Sequence, residues 1–223
     1  NQKLSSLYLE SLKANGYQLQ AYYSVKLTNL MDGTFILNQF DKSYDFSASS
    51  QQDIDTLTVN KYLSDIRNHK SFSLIFLSSP HFPYSYPKGY ERLLPVSKPT
   101  LSMQHLSHSE KFYKKLRNRY SNSLFYADKE IARVLAHQDA NSLKTITVLT
   151  SDHGDAFGED GFIGHLSPHF EDYLIHVPLF ICGANKIISS PITSHEEIMP
   201  FLFETLGATT NRNSKEYKVV TGV

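Results

Sequence analysis

The sequence predicts an α/β fold, a mainly parallel sheet sandwiched by helices. Two observations lead there. Short apolar runs at 72–77, 146–149 and 177–182 have the length and residue types of strands covered on both faces. Between them lie longer segments whose apolar residues recur at three- and four-residue spacing, the helical period. Buried strands alternating with helices imply crossover connections and parallel pairing. A chain of 223 residues, 40% hydrophobic, can bury a proper core, and residues 1–223 are read as one domain.

Residues 4–14 show helical spacing, stopped by Asn15-Gly16, a C-terminal signal. Residues 17–23 alternate as a strand does. The stretch 24–50 is mixed and polar, with a turn or short helix expected near 31–37. Residues 51–68 read as a helix with Ile54, Leu57, Tyr62, Leu63 and Ile66 on one face and Ser49 or Ser50 as cap. The strand at 71–78 runs into Ser79-Pro80-His81-Phe82-Pro83-Tyr84-Ser85-Tyr86-Pro87, where three prolines exclude regular structure. An irregular connection continues over 88–106, a length uncommon without a function. Ser107 or Ser109 then starts a long helix carrying Phe112, Leu116, Tyr120, Leu124, Ala127, Ile131 and Leu135. After a polar turn comes the strand that ends in Asp152-His153. A strand at 177–182 stopped by Gly183, a helix at 196–206 stopped by Gly207, and a short strand at 217–220 complete the pattern.

Lys+Arg and Asp+Glu balance at 22 each, so no net charge argues for nucleic acid or for a charged membrane surface. Cys182 is the only cysteine, which excludes an intrachain disulfide; its apolar neighbours make it a small core residue. No apolar stretch approaches the roughly 20 residues of a membrane helix. The chain opens directly into Leu4, Leu7, Tyr8, Leu9 and Leu12, as the middle of a fold would, and is expected to be an excised portion of a longer protein.

The chemistry concentrates where strands end. The run 146–149 stops in Ser151-Asp152-His153-Gly154, and Gly164-His165 follows within one loop. In open α/β sheets, sites form outside the carboxyl ends of the strands. Aspartate and imidazole are ligands for divalent metals, more carboxylate favouring Mg, Ca or Mn and more imidazole favouring Zn. Of the ten histidines, His81 and His165 stand beside proline or glycine at expected strand ends and are read as functional. His169 and His176 fit surface or packing positions equally well. His69, His105, His108, His137 and His195 read as solvated, as do Glu159 and Asp160. Lys88 and Arg92 fit either an anionic substrate or solvent.

Residues 148–159 with Gly164-His165 resemble the C-terminal metal motif of the sulfatase-like branch of the alkaline phosphatase superfamily. Pro80-His81-Phe82-Pro83-Tyr84 is similar to the family's substrate-facing His-x-Pro-Tyr loop. The stretch 119–128 resembles the helix before the metal strand, and 176–181 the following Val-Pro-Leu strand. Within that branch, residues 14–19, Asp41 and the tail 217–222 resemble the YejM-like inner-membrane proteins that govern lipopolysaccharide levels. The resemblance implies an alkaline-phosphatase/sulfatase-like fold, incomplete at its N-terminus, with one or two divalent ions (Ca, Mg, Mn or Zn). It implies Asp152 and His153 as metal ligands. His81 would contact the transferred phosphate or sulfate, and His165 would bind substrate or a second metal, or assist the leaving group.

The same resemblance implies a metal-dependent hydrolase or transferase acting on sulfate or phosphate esters, lipid-linked ones included, on the periplasmic or extracellular face of the cytoplasmic membrane, held by an N-terminal anchor missing here. The alternative is a non-catalytic domain that binds lipid or protein partners to regulate envelope lipid synthesis. The family's hydroxyl or modified-cysteine nucleophile belongs upstream of the matched segments. Thr28, Ser24 and Cys182 lack its context, so the fragment alone is expected to be inactive.

Overall fold

A computed structural model describes residues 6–27, 33–49, 53–66, 69–98, 109–165, 171–183 and 192–208. The first helix, α1 (Leu7–Ala14), buries Leu9 and Leu12 and stops where its sequence says it should. Gly16 adopts φ +81°, the Tyr17 amide donates to the Leu12 carbonyl (3.0 Å) and the Gly16 amide to that of Lys13 (2.9 Å). This double bond pattern needs a left-handed residue after the helix, which glycine supplies without strain.

The chain then enters β1 (Gln18–Tyr23), the centre of a three-stranded parallel sheet. Its neighbours are β2 (Lys42–Asp45), which follows the short helix α2 (Gly33–Leu37), and β3 (Ser71–Phe76), which follows α3 (Ile54–Asp65). β1 is buried on both faces. Leu19, Ala21 and Tyr23 pack with Leu9, Leu12, Phe40 and Phe203, while Tyr22 packs with Val59, Tyr62 and Val134. Helices therefore cover both sides of a parallel sheet, as the alternating pattern predicts.

The long helix α4 (Glu110–Ala140) begins at Ser109, whose side chain accepts from the Phe112 amide. Its buried face includes Leu116, Ala127 and Val134 but also Arg119, Asn122, Ser123, Glu130 and Gln138. Leu124, read as part of the apolar stripe, is exposed instead. α3 shows the same offset: its cap position is Asp53, and its buried residues are Asp55, Thr58, Val59 and Tyr62. These helices meet the sheet and loops through polar networks, which hydrophobic periodicity does not register.

β4 (Thr147–Thr150) pairs antiparallel with β7 (Leu179–Cys182), which follows the short helix α5 (Asp172–Ile175). Neither strand is the doubly covered element that its apolar run suggests. Alternate residues of β7 face water, so Cys182 is exposed, correcting its reading as a core residue. Between β4 and α5 lies a tight hairpin of β5 (Ala156–Phe157) and β6 (Ile163–Gly164). Helix α6 (Ile198–Leu206) ends at Gly207 with φ +63°. The strand expected at 217–220, Thr28, His105, His108 and His169 lie outside the described residues. Among the described residues, no helix is long and apolar enough to cross a membrane.

Candidate functional site

The loop that follows β3 is irregular but well tied down by α4. Arg119 donates through Nε to the Pro83 carbonyl (2.8 Å) and through a terminal nitrogen to that of Ser97 (3.3 Å). Asn122 accepts from the amides of Arg92 (3.1 Å) and Leu93 (3.0 Å) and donates to the Leu93 carbonyl (3.1 Å). Buried polar side chains thus take over the bonds that secondary structure would otherwise supply to this backbone. The loop presents His81 in the open, its Nδ1 2.8 Å from the Phe82 carbonyl.

Tyr84, fully buried, packs edge-on against Phe82 and Tyr120 and against Phe157 at the root of the hairpin. Gly158 enters the hairpin turn at φ +107°, where a Cβ would strike the Tyr113 ring. Glu159 accepts from the Phe157 amide and pairs with Arg117 at 3.0 Å. Burial pushes its carboxyl up, but these donors hold it net below the usual range.

β4 delivers Asp152 and His153, and β6 delivers His165. The fold brings the three strand-end histidines together: ring centroids lie 4.1 Å apart for His153 and His165, and 5.5 Å apart for His81 and His165. Asp152 is largely exposed, its carboxylate 3.7 Å from His153 Nε2. A residue that the sequence reading passed over completes the group. Asp155 Oδ1 stands 3.4 Å from His165 Nδ1, and Oδ2 accepts from the Tyr84 hydroxyl at 2.9 Å. Among the described residues, His153, Asp155 and His165 are the set whose donor atoms all fall within 4.8 Å of one another, close enough to hold a metal. The only cue to Asp155 was a second aspartate in Asp152-His-Gly-Asp155; its partner Tyr84 is 71 residues away.

The other candidates fall elsewhere. His176 and His69 are exposed, and Arg92 lies over the Phe125 ring. Asp160 accepts from the Tyr173 hydroxyl at 3.2 Å. His195 Nε2 meets the Thr150 hydroxyl at 3.2 Å, at the end of β4.

The sulfatase family pattern matches residues 8–208. The chain belongs to the sulfatase family. Human iduronate 2-sulfatase is 29% identical over 167 residues, covering 59% of this chain and 30% of that protein. The mouse enzyme is 30% identical over 164 residues, 58% of this chain and 29% of that protein. The chain therefore spans under a third of these relatives' length.

Solved structures share the fold at low identity. The C-terminal periplasmic domain of EcEptC from Escherichia coli, in complex with Zn, superposes with a TM-score of 0.68 at 17% identity, over 94% of this chain and 66% of that one. The phosphonate monoester hydrolase of Silicibacter pomeroyi gives 0.71 at 14%, over 91% and 58%. A protein in the alkaline phosphatase superfamily from Vibrio parahaemolyticus gives 0.57 at 21%, over 92% and 50%.

Proposed function

We propose that this chain supplies part of the metal and substrate site of a divalent-metal-dependent hydrolase or transferase acting on sulfate or phosphate esters. The observation that carries the reading is the convergence of His81, His153 and His165 beside Asp155 at strand ends of a sulfatase-family fold. In this reading Asp152 and His153 hold the ion, as the family motif implies. The donors present, imidazole and carboxylate, suit one. A divalent ion here would neutralise charge on the ester oxygens and favour attack by a nucleophile.

The side chains of this chain have separate tasks. His81, with Nδ1 committed to a backbone carbonyl, offers Nε2 to a non-bridging ester oxygen. His165, between His81 and His153, is placed to hold the ester or to give a proton to its leaving oxygen. The nucleophile is assigned to the whole protein, upstream of these residues. The finer reading is a YejM-like, membrane-anchored protein with this domain on the periplasmic or extracellular face, and its substrates include lipid-linked esters.

The test is turnover of chromogenic sulfate-ester, phosphomonoester and phosphodiester substrates by the whole protein and by its His81→Ala, His165→Ala and Asp152→Ala variants. The expected result is activity with one class, lowered about 10²–10⁴-fold in the histidine variants and abolished with metal loss in Asp152→Ala. Metal retention without turnover of any class would overturn the enzyme reading in favour of a non-catalytic lipid- or protein-binding domain.

A further inference from the structure

We propose that the loop 90–97 docks on an anionic lipid surface, with Leu93 and Leu94 inserted between headgroups and basic residues at both ends of the loop meeting the lipid charge. The proposal deepens the membrane-face reading above and does not depend on the ester chemistry.

The loop runs antiparallel along one stripe of α4. Tyr90 packs edge-on against Tyr126, with ring centroids 5.0 Å apart, and carries the Lys129 ammonium over its face. Arg92 lies over the Phe125 ring at 4.7 Å. Asn122 binds both the amide and the carbonyl of Leu93, and Asn118 donates to the Pro95 carbonyl at 3.0 Å. The Ser97 amide donates to the Lys115 carbonyl at 3.2 Å. Positions 129, 125, 122, 118 and 115 are spaced by fours and threes, so they share one helical face. Arg119 joins this loop to the His81 turn, because it donates to the carbonyls of both Pro83 and Ser97.

The pinned backbone holds apolar side chains out in water. Leu94 is 67% exposed and Leu93 40%, and Pro95 and Phe125 are exposed beside them. Single exposed hydrophobics are ordinary, but an apolar group presented together on a fixed backbone marks a contact surface. Leucines ordered in advance lose little further freedom on docking.

Charge identifies the partner. The chain carries no net charge, yet residues 88–98 and 110–129 hold nine Lys and Arg against three Asp and Glu. Arg119 is buried and Arg117 pairs with Glu159, whereas Lys88, Arg92, Lys98, Lys111, Lys114 and Lys129 are exposed. Arg92 and Lys129 stand at one end of the stripe. Lys111, one turn before Lys115, extends the other end, where the loop finishes in Lys98. The acids are turned aside: Glu91 accepts from the Gly89 amide at 2.9 Å, and Glu110 and Asp128 fall about a quarter turn off the stripe. An apolar tip between cationic ends matches the acyl boundary and phosphates of an anionic bilayer. A second copy would set like charge against like, and nucleic acid offers the leucines no apolar phase.

The experiment is co-sedimentation of the 223-residue chain with phosphatidylcholine vesicles, plain or carrying about 30% phosphatidylglycerol for negative surface charge. Circular dichroism confirms that each variant is folded. The chain has no tryptophan, so Leu94→Trp and Phe180→Trp each place a single fluorescent reporter, one at the tip and one on the exposed face of β7. Binding is expected to be at least about tenfold tighter with the anionic lipid and to fall at about 1 M salt, where charges are screened within about 3 Å. Leu93→Ser with Leu94→Ser should weaken it more than about tenfold, and Lys98→Gln with Lys111→Gln by about 10–30-fold. Emission should shift to the blue on vesicles for Leu94→Trp and not for Phe180→Trp. A folded wild-type chain that ignores anionic vesicles would overturn the proposal, as would full binding by the serine variant or a shift at position 180 alone. A dimer that Leu94→Ser dissociates would give the tip to a second copy and overturn it too. Turnover of soluble chromogenic esters by the whole protein, with no vesicle binding by the chain, would leave the ester reading standing and remove this one. Vesicle binding through the tip without turnover would do the reverse.

Discussion

Asp55 and Asp155 are both aspartates drawn out of water where strands end, and the fold treats them in opposite ways. Asp55, on α3, is fully buried and saturated. It accepts from the Ser24 hydroxyl at 2.5 Å and the Ser78 amide at 3.1 Å through one oxygen, and from the Ser79 amide at 3.0 Å through the other. These donors follow β1 and β3, so Asp55 ties both strand ends to the helix covering them. Asp155 has one donor, Tyr84, and an oxygen left bare beside two imidazoles. The two differ in their satisfied lone pairs: Asp55, fully buried, has donors on both oxygens, whereas Asp155, partly buried, keeps one oxygen without a hydrogen bond.

The largest effect expected from breaking this contrast is at Asp55. Asp55→Ala leaves the buried Ser79 amide without its acceptor, at about 1–3 kcal/mol, and removes the charge-assisted bonds from the Ser24 hydroxyl and from the Ser78 amide, which keeps the Ser24 oxygen at 2.8 Å, so urea unfolding should show a loss of roughly 2–5 kcal/mol. A loss under about 1 kcal/mol would mean that water or a neighbour satisfies the Ser79 amide, and the contrast would fail.

Gly154→Ala comes next and touches the Asp155 side of the comparison. An added Cβ would sit 2.1 Å from the Tyr173 carbonyl oxygen, and the Gly154 amide donates to the Leu174 carbonyl at 2.7 Å. The collision is with backbone, so α5 must shift; the cost is about 1–3 kcal/mol. Because the Gly154 carbonyl also orients His153, metal affinity should fall along with the thermal midpoint. A midpoint that falls while affinity holds would show that His153 does not depend on this backbone.

Asp41 supplies an exposed reference. It accepts from the Leu19 amide at 2.8 Å and pairs with Lys13 at 2.9 Å, and these partners hold its carboxyl below the ordinary range. A folded-state value below the unfolded one means that the stabilisation is present above the ordinary aspartate range and is lost as pH falls through the folded value. Both side chains are well exposed, so the pair itself contributes little. Asp41→Asn should cost about 1 kcal/mol or less at pH 7 and flatten the acid limb of the stability curve. An unchanged acid limb would assign that limb to other carboxylates.

What could be read from the sequence is what is local. Asn15-Gly16 stops α1, Ser109 caps α4 and Gly207 ends α6 because each signal and its partner lie within one turn. The strand-end histidines were legible as positions beside proline or glycine, although their convergence needed the fold. Asp55, Asp155 and the polar face of α4 were not legible, because their partners lie tens of residues away and no hydrophobic period marks a buried hydrogen bond. Cys182 and the runs around it misled for the converse reason. An apolar run has the same composition whether it lies in a doubly covered strand or, as in β7, leaves every second residue in water.

The smallest expected stability effect is the most telling one. Asp155→Asn keeps an oxygen for the Tyr84 hydroxyl, nearly preserves volume and removes a charge from a site where only one hydrogen bond compensates it. If the carboxylate served the fold as Asp55 does, the substitution would destabilise the metal-free chain by about 1–3 kcal/mol. If it is kept for a cation, the metal-free chain should unfold within about 0.5 kcal/mol of wild type, or later. A saturating divalent ion should then stabilise the wild-type chain more than the variant, because ligand binding raises stability only in the protein that binds. Thermal unfolding of both chains with and without the ion reads all four states. A variant that is weaker without metal yet gains equally from the ion would place Asp155 with Asp55 as a structural group, and the asymmetry between the two aspartates would carry no functional meaning.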